Sequence, residues 1–114
     1  MRLVGTAWKA ILVDGQPTVD GNEPTARFGP TDVTGTTGCN SYAGSYRYAS
    51  GSITFSDVRS TAIGCEGAIG AVEQRFIKAL TGASTVAGDS TSRLVIDGSG
   101  GSITFVVTTQ PAGG

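Results

Sequence analysis

The stretch Glu66-Gly67-Ala68-Ile69-Gly70-Ala71-Val72-Glu73-Gln74-Arg75-Phe76-Ile77-Lys78-Ala79-Leu80-Thr81-Gly82 carries the one helical repeat of apolar residues in this chain. Ile69, Val72, Phe76 and Leu80 recur at three- and four-residue steps, with Ala68 and Ala79 beside them, and so line one helical face. Glu66 at the start and Lys78 near the end sit where the helix dipole favours them. Gly82 follows where a glycine cap is expected. The pattern predicts a single helix over about residues 66–81.

On both sides of it the chain reads as short strands punctuated by turns. Thr6 to Val13 closes at Asp14-Gly15, and a turn-rich stretch from Gln16 to Pro24 follows. Thr25 to Phe28, Asp32 to Thr37, Ser45 to Ala49, Ser52 to Phe55 and Val58 to Ile63 are the next expected strands. After the helix come Thr85 to Ala87, Arg93 to Ile96 and Ile103 to Val107, the last two joined by Asp97-Gly98-Ser99-Gly100-Gly101. Gly51-Ser52-Ile53-Thr54-Phe55 recurs as Gly101-Ser102-Ile103-Thr104-Phe105. A duplicated β unit or the shared physics of a glycine turn before an alternating strand accounts for that echo. The fold class is α+β: a small, mostly antiparallel and strongly curved sheet of about eight or nine short strands, barrel-like, with one helix packed on it.

Composition limits the rest. At 114 residues the chain is one domain, over residues 1–109, with 110–114 as a tail or linker. Eighteen glycines against four prolines point to tight turns. Eight basic and nine acidic residues are scattered without a run of one sign, which argues against a nucleic-acid partner. No stretch approaches the roughly 20 apolar residues of a membrane-spanning helix. Met1-Arg2-Leu3-Val4 is too short for a signal peptide, which implies a cytosolic chain or one whose leader has been removed.

Cys39 and Cys65, in a chain without histidine, cannot assemble the common four-ligand zinc sets. No Cys-x-x-Cys is present for redox catalysis. The two thiols either bond or lie apart as small buried hydrophobes. A bond is the expectation, and closing that loop would contribute about 3.5 kcal/mol in the chain-entropy account.

Around these cysteines a resemblance takes shape. Leu3-x-Gly5-Thr6-x-Trp8, Gly35-x-x-Gly38-Cys39-Asn40-x-Tyr42-x-Gly44-x-Tyr46, Thr61-Ala62-Ile63-Gly64-Cys65 and the helix with Glu73 and Phe76 occur in that order. The chain resembles the META domain, the HslJ-like family of bacterial envelope proteins and some protozoan virulence-associated proteins, over about residues 3 to 108. Gly64 departs from the methionine or alanine frequent there. The resemblance implies secreted or lipoprotein-anchored proteins linked to heat shock, antibiotic tolerance, motility or virulence, without an established enzymatic activity. On that basis the protein is expected outside the cytoplasm, periplasmic, cell-surface or secreted.

Candidate site residues are few. Asn40, Ser41, Tyr42 and Tyr46 form a possible ligand loop, although asparagine often caps a turn and tyrosines on neighbouring strands often pack across a sheet. Trp8 reads as core. A serine hydrolase lacks its base here, and Ser-x-x-Lys is absent. Asp14, Asp20, Asp89 and Asp97 read as turn formers rather than a glycosidase pair. No calcium loop or phosphate cradle is legible. The expectation is a non-enzymatic monomer without metal or cofactor, binding a peptide, a protein or a small apolar ligand; the alternative is a purely structural module.

Overall fold

In the computed structural model, which describes residues 3–89 and 92–108, nine strands and one helix build a closed barrel. The expected tail, 110–114, lies outside the described residues. The strands are β1 (Ala7–Val13), β2 (Gln16–Pro17), β3 (Thr25–Phe28), β4 (Asp32–Thr36), β5 (Ser41–Ala49), β6 (Ser52–Ser60), β7 (Ala83–Asp89), β8 (Arg93–Gly98) and β9 (Gly101–Val107). The helix α1 (Gly67–Thr81) lies between β6 and β7. Pairing is antiparallel throughout, in the order β1-β3-β4-β5-β6-β7-β8-β9, and β9 returns to β1 to close the ring. β2 is a two-residue addition to β1, with Leu12 opposite Pro17. Closure leaves few free strand edges, which is how a small all-antiparallel sheet avoids edge-to-edge association.

The core follows from alternation. Trp8, Ala26, Phe28, Val33, Ile53, Leu94, Ile96, Ile103 and Phe105 point inward and are buried. On β1 the inward parity breaks after Ala10 and resumes at Val13, because a bulge shifts the register against β9 between Ala10 and Leu12. Both copies of the Gly-Ser-Ile-Thr-Phe echo begin strands whose Ile and Phe face the core.

α1 lies where the ring is thinnest. β6 and β7 pair only at Ser52 and Thr85, and α1 packs against β9, β6, β1 and β8. Val72, Phe76, Ala79 and Leu80 are its buried face. Phe76 meets Tyr42 and Phe105 edge-on, at centroid distances of 5.5 and 6.3 Å. Such pairs add to the area they bury. Gly82 closes the helix with φ −96°, so it is not the left-handed cap its position suggests.

Strand boundaries differ from the reading of the sequence in several places: β2 falls inside the expected turn-rich stretch, β7 extends two residues beyond Thr85–Ala87 at each end, and β5 and β6 are laid out differently. β5 begins at Ser41 instead of Ser45, so Gly44 is inside a strand. β6 runs unbroken from Ser52 to Ser60, and Thr61 to Ile63 are not strand. The inclusion of Gly44 in β5 and the continuity of β6 past Phe55 share one cause, a bulge between these strands: Ala43 opposes Arg59 and Ser45 opposes Ser56, so Gly44 faces two residues of β6. Asp57 takes φ +53° there, and a Cβ on Gly44 would approach the Val58 side chain to 3.0 Å. A glycine that reads as a breaker is here the residue that lets the bulge form. Among the described residues no helix is long and apolar enough to cross a membrane.

Candidate functional site

The cysteine-bearing segments meet at one end of the barrel and lock together. Cys39, after β4, is disulfide-bonded to Cys65, just before α1, with Cα atoms 6.2 Å apart. Gly38 turns with φ +97°, and a Cβ there would come within 2.4 Å of the Asn22 carbonyl oxygen. Asn40 is buried, and its amide joins three elements. Its Oδ1 accepts from the Thr61 hydroxyl at 2.8 Å and the Ile63 N–H at 2.7 Å. Its Nδ2 donates to Glu73 Oε2 at 2.6 Å and the Ile63 carbonyl at 3.0 Å. Thr37 donates its hydroxyl to the same Glu73 oxygen at 2.7 Å and accepts from the Asn40 N–H at 2.8 Å. Segment 61–65 is thus held to the Cys39 turn by a covalent bond and an amide clamp, with α1 tied in through Glu73. An oxygen already accepting two short hydrogen bonds is occupied structurally and is poorly placed as a base.

The N-terminal part of the pattern has its own lock. Thr6 donates to the Leu3 carbonyl at 2.5 Å and accepts from Trp8 Nε1 at 2.8 Å. The indole N–H is thereby satisfied beside a fully buried ring.

Of the proposed ligand-loop residues, the structure separates three kinds. Asn40 is the clamp just described. Ser41 is exposed and begins β5, and Tyr42 follows on the same strand, so neither lies in a loop. The Tyr42 ring packs into the core and its hydroxyl donates to the Thr25 carbonyl at 2.6 Å. Burial pushes this phenol well above the usual tyrosine pKa. Tyr46 is half-buried, stands edge-on to Phe28 at 5.0 Å, and donates to the Gly29 carbonyl at 2.6 Å. Its pKa is also raised by desolvation.

Tyr46 does open onto solvent space. A cleft of about 910 Å³ runs beside the far half of β5, lined by Leu3, Val4, Pro30, Tyr46, Arg47 and Tyr48 with four hydroxyl side chains. Its volume is in the range of small-ligand sites. Tyr48 and Arg47 were not among the proposed ligand-loop residues; their alternation along β5, one ring and one cation on opposite faces, was the available signal. A second, shallower groove of about 510 Å³ lies between α1 and residues 60–63, where Ile63 is 63% exposed. Among the described residues no group of three or more His, Cys, Asp or Glu side chains converges to hold a metal ion.

A family model of the META domain matches residues 1–110. The chain belongs to the META domain family. The locks around Trp8, Cys39 and Asn40 are therefore what the META pattern in this sequence builds: internal bonds among barrel, helix and connecting segments. Solved structures share the fold. A protein from Burkholderia xenovorans determined by NMR is 23% identical with a TM-score of 0.71, over 95% of this chain and 85% of that one. Another NMR structure is 21% identical with a TM-score of 0.75, covering 92% and 91%. A DUF4847 family protein from Bacteroides vulgatus is 15% identical with a TM-score of 0.68, covering 96% of both. At these identities the likeness speaks for the fold alone. No curated protein matches the chain.

Proposed function

We propose that this META domain is a non-catalytic binding module, a monomer working outside the cytoplasm in a stress-related role, whose ligand occupies the cleft beside Tyr46 and Tyr48. The observation that carries this reading is the cleft itself: two tyrosine rings and the Leu3–Val4 corner supply apolar wall, with hydroxyls and the Arg47 cation at the rim. Apolar walls with a few polar groups are the usual make-up of a ligand site. A disulfide between Cys39 and Cys65 is compatible with an oxidising compartment. A peptide, a protein segment or a small apolar molecule would fit this chemistry.

The test is NMR titration of the isotope-labelled protein with small probes: para-cresol, and an anilinonaphthalene sulfonate carrying one anionic group. Saturable shifts at the amides of Thr31, Tyr46 and Tyr48, reduced in Tyr48→Ala, are expected. Shifts absent from the cleft with both probes would overturn the binding reading. A purely structural module is the second reading, favoured by the fact that Thr6, Thr37, Asn40 and Glu73 all spend their polar groups on internal bonds. Location has a separate test: alkylating the cysteines in intact source cells should require prior reduction, and labelling without reductant would place the protein in a reducing compartment.

A further inference from the structure

The cleft borders an open strand edge, and we infer that its ligand is an extended peptide segment that adds to β5 and carries an acidic side chain against Arg47. This rests on the reading of the cleft above and names the ligand class. β4 begins at Asp32, opposite Ser45, and no described strand pairs with β5 on that side beyond this point. The Tyr46 N–H reaches the Thr31 carbonyl at 2.9 Å, which shows that it faces away from β6. From Tyr46 to Ala49 the pairing with β6 is regular, opposite Phe55 to Ser52. Backbone groups alternate sides along an antiparallel strand, so the N–H and carbonyl of Tyr48 face the same lane, where β4 is missing. The chain leaves this lane at Pro30 and Thr31, both of which line the cleft. The other thinly paired edge, that of β6 past Ser52, differs in having α1 packed against it.

Side chains around the lane specify what would enter. Tyr46 and Tyr48 lie on the inward face of β5, because they oppose the buried Phe55 and Ile53. Arg47 lies on the outward face, opposite the exposed Thr54. Among the described residues it is the one charged side chain lining the cleft, and it forms no ion pair with any of them. An added strand alternates in the same way. Its inward residues would meet the tyrosine rings and its outward residues Arg47, so the favoured pattern is apolar and acidic in alternation. Main-chain bonds to the edge give affinity and the alternate side chains give selectivity, as in β-augmentation generally.

The experiment titrates the labelled protein with a hexapeptide alternating valine and glutamate, its valine–lysine counterpart, and two N-methylated forms of the acidic peptide. One form is methylated on the valine amides, the other on the glutamate amides. Shifts centred on Tyr48 are expected, with the acidic peptide preferred over the basic one. One N-methylated form should lose about threefold to tenfold in affinity per blocked bond, while the other binds as the parent does. Arg47→Glu should weaken the acidic peptide about two- to fivefold and reverse the preference. Equal binding by both N-methylated forms overturns edge pairing, as does failure of every peptide while para-cresol still binds; the cleft reading then survives. If neither peptides nor small probes bind, both fall together.

Discussion

Replacing Asn40 by aspartate changes one atom group and should be among the most damaging substitutions in this domain. The introduced carboxylate keeps the Oδ1 bonds from Thr61 and the Ile63 N–H. Its second oxygen, however, replaces a donor that lies 2.6 Å from Glu73 Oε2 and 3.0 Å from the Ile63 carbonyl. Two hydrogen bonds become contacts between acceptors. Two unit charges at 2.6 Å repel by about 6 kcal/mol at an effective dielectric constant near 20, and by about 1.6 kcal/mol in water. Glu73 is only half-buried, and the pair escapes part of the repulsion by taking up a proton, so a loss of about 3 kcal/mol is expected at pH 8. Asn40→Ala, which removes bonds without adding charge, should cost about 2 kcal/mol.

The sign of the pH dependence separates these cases. Repulsion raises the folded-state pKa of the carboxyl pair above its unfolded value of about 4. The unfolded chain then binds fewer protons than the folded one between these values, so the penalty is present at high pH and shrinks as pH falls through that window. Urea unfolding followed by the fluorescence of Trp8, the single and fully buried tryptophan, measures this at pH 8 and pH 5. Adding Glu73→Gln should restore most of the loss, because an amide donor again faces the carboxylate. A cost below about 0.5 kcal/mol, the scale of ordinary surface substitutions, or one indifferent to pH and to Glu73→Gln, would refute the clamp.

Removing the disulfide with Cys39→Ser and Cys65→Ser together should lower stability by about 3.5 kcal/mol and leave the native spectrum intact, since the Asn40 clamp still holds the segment; urea midpoints and amide spectra check both parts. Phe76→Ala opens the centre of the core beside Tyr42 and Phe105 and should cost about 3–5 kcal/mol in the same assay. Because burial raises the Tyr42 pKa in the folded state, stability should be full below about pH 10 and fall above it, as the unfolded phenol ionises first. Tyr42→Phe should cost about 1–2 kcal/mol at neutral pH through the orphaned Thr25 carbonyl, and should flatten the alkaline fall in a urea series.

Much of the architecture was legible because it rests on local rules. The single change of period at residues 66–81 placed α1 to within a residue, and alternating runs between glycine turns placed the strands of an α+β barrel. Two of the misread boundaries fell at Gly44 and Asp57, where a bulge matches one residue of β5 with two of β6. A bulge is a property of two strands together, so neither strand's own sequence announces it.

The candidate site divides along the same line. By itself the sequence determined which segments carry chemistry-bearing residues, their order, and the absence of histidine from the chain. Tertiary structure alone decided what those residues do. Asn40 reads as a loop residue until the fold brings Thr61, Ile63 and Glu73 around its amide. Tyr42 and Tyr46, four positions apart, receive opposite fates: one faces the helix across the core, the other stands at the end of β4 where the sheet stops. Burial and open edges depend on where neighbouring strands end, and that is settled by long-range packing rather than by any local run of residues.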